Sequence, residues 1–352
     1  MKYISLFSGI GGFELGIQRA LGNQAECIGF SEIDKFALRV YQNHFPSHKN
    51  LGDITKITEE DIKRVVEGAG GCDMVVGGFP CTNLTSMANF KYGNSDGLAG
   101  PASGLFWNML NVIRWVRKYN GSRVLHIIIE NNASMKKSNK DIITTQLQAC
   151  LDVPVKRTPL NGADFGVQTR RRLFWTTFDI DVSKITCEQT WDDVLLPIEE
   201  VADDFLPPCL LKHGNDTMYA AGRSSVISIQ NVRGRIYEFV KIASTNESCI
   251  WFKGYHSDTG NTNLPYPYPI GKSRTMLRGR DISHALIDRR VSCDGHEFFP
   301  RRFNPVEVER LFWFPDGWVT SSCSASRSCM LLGNSVVVKV IEFIVKVSIG
   351  QL

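Results

Sequence analysis

The stretch Gly77-Gly78-Phe79-Pro80-Cys81 follows an apolar run, Met74-Val75-Val76, and has the residue types needed to hold one sulfur in the open. A buried strand that ends in two glycines and a proline turns sharply, and a cysteine presented there is placed to act as a nucleophile. The competing reading is that most free cysteines are small core residues. A second apolar run, 124–129, ends in Glu130-Asn131-Asn132, which puts a carboxylate on the same predicted sheet edge as Cys81. A third, 173–177, is preceded by Gln168-Thr169-Arg170-Arg171-Arg172. Three successive arginines usually mark a solvated basic face. Directly before a buried strand, they are instead candidates for a site.

The same logic applies at the N-terminus. Residues 3–7 read as a short buried strand, Ser8-Gly9-Ile10-Gly11-Gly12 as a tight turn, and 13–21 as a helix with Phe13, Ile17, Ala20 and Leu21 on one face. Strand, glycine turn and helix open a nucleotide-binding α/β unit, in which N–H groups at the helix start receive a polar ligand. The dinucleotide fingerprint G-x-G-x-x-G requires a third glycine where Glu14 stands. That disfavours a nicotinamide dinucleotide and leaves room for a ligand without a pyrophosphate. The next strand, 25–30, ends near Glu32, where such folds place the acid that holds ribose hydroxyls, and a second acidic turn follows at Gly52-Asp53-Ile54.

Alternating strands and helices (36–44, a start at Thr58-x-x-Asp61, 106–116) predict a mostly parallel sheet with helices on both faces. Residues 82–104 are polar, glycine-bearing and without apolar periodicity, which fits a lid or binding loop. Between 155 and 178 the pattern is strand, turn at Asn161-Gly162-Ala163, strand. After Phe178 the composition shifts to short strand-like pieces at 226–229, 236–240 and 249–252 in a region rich in glycine, serine and asparagine. Pro305-x-Glu307-x-x-Arg310-Leu311 opens a helix, and residues 331–347 close the chain as an apolar segment with Asn334 or Ser335 as its N-cap.

The 352 residues, 43% of them hydrophobic, suit a two-domain globular protein. The longest apolar stretch, 336–347, contains Lys339, Glu342 and Lys346 and is too short to span a bilayer. No secretory leader pattern opens the sequence, so an intracellular protein is expected. The ten cysteines are scattered singly and form no C-x-x-C pair, which favours reduced thiols over disulfides or structural zinc, and no metal site is expected. Net charge is +4, unevenly spread: residues 179–211 hold nine acidic residues and one lysine, whereas 212–302 hold fourteen Lys/Arg against eight Asp/Glu. A basic stretch of that kind can follow a phosphate backbone.

Together these motifs resemble the DNA (cytosine-5) methyltransferases of bacterial or viral type, in the family's order and over nearly the whole chain. Phe7-Ser8-Gly9-Ile10-Gly11-Gly12 is similar to the first motif, Gly78-Phe79-Pro80-Cys81 to the nucleophile motif, Glu130-Asn131 to the E-N pair and Gln168-x-Arg170-x-Arg172 to Q-x-R-x-R. Arg302-x-x-x-Pro305-x-Glu307-x-x-Arg310-Leu311 with Phe314-Pro315-Asp316 resembles the penultimate motif, and Gly333-Asn334-Ser335-Val336-Val337 the last. Two departures stand out. Asn132 replaces the family's usual valine after E-N, and Thr82 replaces the glutamine that commonly follows the nucleophile.

The resemblance implies a Rossmann-like S-adenosylmethionine-dependent methyltransferase domain, 1–180 plus 330–352. It also implies a smaller, irregular, mostly β target-recognition domain, 181–329, that includes the penultimate motif at 302–316. Its implied catalytic set is Cys81, Glu130, Arg170 and Arg172. Cofactor contacts fall to Phe7, Gly9, Gly11, Gly12, Glu32, Ile33, Asp53, Ile54, Pro80, Asn334 and Ser335. Implied contacts to double-stranded DNA come from Thr85 and Ser86 in the loop and from Arg274, Arg278 and Arg280, in a stretch similar to the family's Thr-Leu signature. A monomer converting S-adenosyl-L-methionine to S-adenosyl-L-homocysteine is expected. The alternatives are an RNA (tRNA) cytosine-5 methyltransferase of the same fold and a non-catalytic DNA-binding paralogue. The basic stretch argues against the first, and retention of Cys81 and the glycine turn argues against the second.

Overall fold

The computed structural model describes residues 1–81, 84, 98, 100, 103–204, 209–210, 217–219, 226–228, 248–254, 264–265, 284–288, 297–298 and 300–349. The chain divides into two compact units: Met1–Phe165, Arg171–Cys187 and Ser335–Leu352 form the first, and Gly166–Arg170 and Glu188–Asn334 the second.

In the first unit, strands β1 (Lys2–Leu6), β2 (Glu26–Ser31), β3 (Met74–Gly78), β4 (His126–Asn132), β5 (Lys156–Asn161) and β6 (Arg171–Thr176) form one sheet in the order β2-β1-β3-β4-β6-β5. The first four are parallel, and β6 and β5 continue the sheet as antiparallel neighbours. Val75, Val76, Ile127, Ile128 and Ile129 are fully buried, as expected for central parallel strands covered on both faces. Strand β4 ends in Glu130, Asn131 and Asn132, as the sequence predicts, and β6 pairs with all three across the sheet.

The helices start where local chemistry dictates. Helix α1 (Gly12–Leu21) follows Gly11, whose φ of 88° is left-handed. Asp34 caps α2 (Lys35–His44) by accepting the Phe36 and Ala37 N–H groups. Thr58 and Asp61 form a capping box on α3 (Glu59–Ala69). Helices α4 (Leu105–Tyr119) and α5 (Lys137–Leu151) complete the layers. A Cβ on Gly16 in α1 would lie 2.6 Å from the Ile341 Cβ, so the glycine permits close packing of α1 on the C-terminal helix.

The C-terminal apolar segment, expected over 331–347 with Asn334 or Ser335 as N-cap, starts its last helix later. It is two helices, α8 (Ala325–Asn334) and α9 (Val338–Ser348), separated by residues 335–337. Asn334 ends the first, and Val337 rather than Asn334 or Ser335 is the N-cap of the second. Val336 and Val337 are buried, so burial of these two side chains, not a polar cap, sets the break. Ala325–Ser348 is long and apolar enough to cross a membrane, but 72% of its most apolar 18 residues are buried within the protein, as in a core segment.

The second unit contains, among its described residues, short strands only: β7 (Cys209–Leu210), β8 (Thr217–Tyr219), β9 (Val226–Ser228), β10 (Ser248–Gly254), β11 (Leu264–Pro265), β12 (His284–Asp288), β13 (Glu297–Phe298) and β14 (Pro300–Arg302). They make a four-stranded sheet, β11-β10-β12-β14, and two strand pairs. The strand-like piece at 236–240 lies outside the described residues. The unit also holds the short helices α6 (Trp191–Val194) and α7 (Pro305–Leu311).

The residues after β14 show what the penultimate motif does locally. Asn304 and Glu307 form a capping box on α7, and Glu307 also accepts the Leu196 N–H at 3.0 Å. The Glu309 carboxylate gathers the N–H groups of Gly317, Val319 and Thr320 at 2.8, 2.6 and 2.8 Å. Arg310 forks onto Asp316 at 2.8 and 2.6 Å. Glu309 and Arg310 thus hold the turn at 316–320, and Glu307 ties the start of α7 to Leu196.

Glu14, the residue that breaks the dinucleotide fingerprint, is fully buried in α1 and accepts a hydrogen bond from the Tyr41 hydroxyl at 3.1 Å. Burial pushes its carboxyl from 4.5 up to about 7, against the opposing pull of hydroxyls from Ser5, Tyr41 and Ser8. The folded state therefore holds this proton more tightly than the unfolded chain. Its contribution is full below the unfolded value and is lost as pH rises through about 7, a change of about 3 kcal/mol. Glu14→Gln should keep the Tyr41 contact and remove this dependence. Urea unfolding at pH 5 and pH 8 is expected to show the variant gaining on wild type by up to about 3 kcal/mol at the higher pH; a gap independent of pH would contradict the assignment.

Candidate active site

Strands β1 and β3 are neighbours, yet the chain leaves β1 toward β2 on one side and returns to β3 on the other. In open α/β sheets the crevice at such a switch point, beyond the carboxyl ends of the strands, is where ligands bind. Leu6 pairs with Gly77 in register, so the glycine turn after β1 and the Cys81 segment after β3 leave from adjacent strand ends.

The close approach depends on two missing side chains. A Cβ on Gly77 would sit 2.4 Å from the Leu6 carbonyl oxygen, and one on Gly78 2.9 Å from Glu130 Oε2. Beyond Gly78, three successive carbonyls are held. Phe79 O accepts from Asn131 Nδ2 at 2.9 Å, Pro80 O from Ser103 Oγ at 3.1 Å and Cys81 O from the Leu84 N–H at 2.9 Å. The buried Phe79 ring packs on Phe106 with centroids 5.3 Å apart. Cys81 is in no disulfide and sits half-buried at the end of this anchored segment.

Glu130 pairs with Gly78 in register on the neighbouring strand. Its Oε1 receives Arg172 Nε at 2.7 Å, with both side chains largely buried. A short charge-assisted contact of this kind fixes the carboxylate in one orientation. Arg172 sits on β6 opposite Asn132, so its side of the site is supplied by the antiparallel strand.

Arg170 has a different environment. It belongs to the second unit, is buried, donates from Nη2 to the Gly333 carbonyl at 3.1 Å, and lies over the Phe312 ring at 5.0 Å. Its partner residue directly precedes Asn334 and Ser335. Arg171, the first residue of β6, is exposed, and Arg172 beside it is half-buried, whereas Arg170 lies before the strand.

The cofactor candidates gather around the β1 and β2 ends. Phe7 takes a left-handed φ of 56°, rare for a side-chain-bearing residue, and Gly9 and Gly11 follow at 56° and 88°. The Glu32 carboxylate accepts three N–H groups: Gly9 at 2.8 Å on Oε2, and Ile33 at 2.7 Å and Asp34 at 2.8 Å on Oε1. Ile33 leaves its large apolar side chain 64% exposed, unusual for isoleucine and suited to covering a flat aromatic ring. The Asp53 carboxylate is held below the usual range by the Thr55 N–H and hydroxyl, at 2.9 and 2.7 Å, and stays ionised. Ile54 packs in the core of the unit, and Gly12 is buried as the first residue of α1. Pro80 is half-buried, Asn334 is exposed at the end of α8, and Ser335 is half-buried. Thr85, Ser86, Arg274, Arg278 and Arg280 lie outside the described residues.

A family model described as C-5 cytosine-specific DNA methylase matches residues 1–349. The chain belongs to that family. It is a DNA cytosine-5-methyltransferase, of a family that uses S-adenosylmethionine. Among similar proteins, type II methyltransferase M.HhaI of Haemophilus parahaemolyticus is 25% identical, covering 98% of this chain and 93% of its own length. M.SsoII of Shigella sonnei, another type II methyltransferase, is 27% identical over 100% of this chain and 80% of its own. Among solved structures, a mutant form of Spodoptera frugiperda DNMT2 shares the fold with a TM-score of 0.58 at 18% identity, covering 98% of both chains.

The cradle fits S-adenosylmethionine on structural grounds. Left-handed glycines clear backbone space after β1, one carboxylate stands at the β2 end, one ionised carboxylate follows at Asp53, and an exposed isoleucine lies between them. Asn50, Asn131 and Ser103 organise these groups, and sequence reading assigned none of them a role. Asn131 was visible in the E-N pair, whereas Ser103 and Asn50 lie in stretches without periodicity and had no local signal.

Substituting Gly78 with alanine places a methyl group where the Glu130 carboxylate now lies. Methyl transfer by Gly78→Ala is expected to drop about 10- to 100-fold through misplacement of one group, with cofactor affinity within about twofold of wild type. Steady-state assays and calorimetry check this, and wild-type turnover would contradict it.

Proposed function

We propose that this methyltransferase acts on C5 of a cytosine rotated out of duplex DNA, through a covalent adduct to Cys81. The observation that carries the reading is the convergence on adjacent strands of the Cys81 thiol just past Gly78, Glu130 in register with Gly78, and Arg172 at 2.7 Å from Glu130. A thiolate, a proton-sharing carboxyl group and a guanidinium are the groups needed to activate a pyrimidine ring for electrophilic attack at C5.

C5 of cytosine is too weak a nucleophile to accept a methyl group unaided. Cys81, as thiolate, adds to C6, and the displaced electron pair moves through the ring toward N3 and O2. Glu130 shares a proton with N3 and stabilises the charge that builds there. Arg172 holds Glu130 in place and donates to O2. S-adenosylmethionine, when bound, supplies the methyl group for C5. The C5 proton then leaves to a base or water, the C6–S bond breaks, and Cys81 is regenerated.

Phe7, Gly9, Gly11, Gly12, Glu32, Ile33, Asp53, Pro80, Asn334 and Ser335 make up the proposed cofactor set, with Glu32 taking ribose hydroxyls and Asp53 the adenine amino group. Ile54 contributes by packing behind Asp53 rather than by contact. Arg170, seated on the Gly333 carbonyl, supports the Asn334-Ser335 turn instead of touching the base.

None of this chemistry reaches a stacked base, so the cytosine must be extruded at a cost of roughly a few kcal/mol. Residues 82–104, with Thr85 and Ser86, form the lid in this reading. We assign 1–180 plus 330–352 to catalysis and 181–329 to recognition of double-stranded DNA, with Arg274, Arg278 and Arg280 contacting bases or phosphates.

Cys81→Ser should lose methyl transfer to duplex DNA by more than about 1,000-fold while retaining S-adenosylmethionine binding. Radiolabelled methyl incorporation together with calorimetry tests both halves. Normal turnover by Cys81→Ser would overturn the covalent reading.

A further inference from the structure

We infer that Asn50 and Ser31 are positioning residues that lock the Glu32 strand end to the Gly52-Asp53 turn, so that the two acids of the cofactor site hold a fixed separation. The inference rests on the proposed roles of Glu32 and Asp53 and extends them to two residues with no assigned part.

Strand β2 ends at Ser31, one residue before Glu32. Beside it, the segment from residue 49 pairs only briefly. Phe30 N–H donates to Lys49 O at 3.0 Å, Leu51 N–H donates to Phe30 O at 2.6 Å, and Phe30 and Asn50 form an isolated parallel bridge. Past that point the two backbones no longer bond to each other, and side chains take over. Asn50 Nδ2 donates to the Glu32 carbonyl at 3.1 Å. Its Oδ1 accepts the Gly52 N–H at 2.9 Å and faces the Glu32 N–H at 3.4 Å. Ser31 Oγ donates to the Gly52 carbonyl at 2.6 Å.

One amide therefore serves both backbone groups of Glu32 and the N–H of Gly52, while one hydroxyl takes the remaining carbonyl of Gly52. Gly52 has a left-handed φ of 81°, and a Cβ there would meet nothing within 4 Å. The glycine is needed for the backbone bend alone. The next residue is Asp53, whose carboxylate is already fixed by Thr55. The Glu32 carboxylate is likewise fixed by the Gly9, Ile33 and Asp34 N–H groups. Each acid is thus oriented by its own neighbours, and Asn50 with Ser31 sets the distance between them. An amide is required because the position needs a donor and an acceptor on one short side chain. Aspartate lacks the donor, and glutamine is one carbon too long.

A ligand that engages both acids binds more weakly when their separation loosens, while steps made after binding are unaffected. Asn50→Ala in the full-length enzyme should raise the Kd and KM for S-adenosylmethionine about tenfold, with kcat at saturating cofactor and duplex DNA affinity within about twofold of wild type. Ser31→Ala, which removes one bond, should raise the same KM about threefold. A loss of folding would instead lower kcat, cofactor affinity and melting temperature together. Calorimetry on Asn50→Ala, Glu32→Ala and the double variant separates the two ideas. If Asn50 acts through Glu32, Asn50→Ala should cost less than about twofold once Glu32 is alanine.

Cofactor binding at wild-type strength by both Asn50→Ala and Ser31→Ala, or a full tenfold Asn50 effect in the Glu32→Ala background, would overturn the inference while leaving the cofactor reading intact. Unchanged binding by Glu32→Ala alone would overturn the cofactor reading itself, and the inference with it.

Discussion

The space left by two absent Cβ atoms governs this structure. Gly77 lets β3 press against the Leu6 carbonyl, and Gly78 leaves room for the Glu130 carboxylate. With any side chain at Gly77, β1 and β3 would have to separate, and the glycine turn and the Cys81 segment would leave from strand ends no longer in register. With any side chain at Gly78, Glu130 would be displaced from its contact with Arg172. The proposed catalytic groups come from three strands, but backbone packing at two residues brings them to one place.

Around that contact, the protein spends buried polar groups on holding loops. Asn131 and Ser103 grip the carbonyls on either side of the Phe79–Pro80 bond, and Glu32 gathers three N–H groups at the β2 end. In the second unit Glu309 does the same for the turn at 317–320, and Arg310 clasps Asp316. Buried carboxylates satisfied in this way hold irregular backbone more firmly than apolar packing could, because each bond has a direction as well as an energy. Within the penultimate motif Arg310 faces Asp316, while Glu307 and the neighbouring Glu309 face backbone N–H groups.

Much of this was legible before the fold was known. Continuous Val/Ile runs identified the central strands, and residue order along the chain tied Cys81, Glu130 and Arg172 to strand ends on one edge. The glycine turn and the helix start at Thr58 follow from local chemistry alone. What escaped was set by tertiary pairing. Nothing local shows that β6 pairs with Glu130 and its neighbours from the far side. Nor does local sequence show that Val337, rather than Asn334 or Ser335, caps the last helix. Glu14 reads as a defect in a binding motif, yet it is a buried acid hydrogen-bonded to Tyr41. Arg170 and Arg172 share a motif two residues apart and lie in different units, a separation that spacing alone does not reveal.

The central claim is that Cys81 bonds to C6 of an extruded cytosine. Incubating the wild-type enzyme with S-adenosylmethionine and a duplex bearing 5-fluorocytosine at the target position blocks loss of the C5 substituent and should arrest the reaction at the methylated adduct. Intact-mass measurement followed by peptide mapping is predicted to find the methylated nucleotide on the peptide carrying Cys81. A trapped complex on any other residue, or full methyl transfer to an unmodified duplex with no trapping of the fluorinated one, would contradict the account.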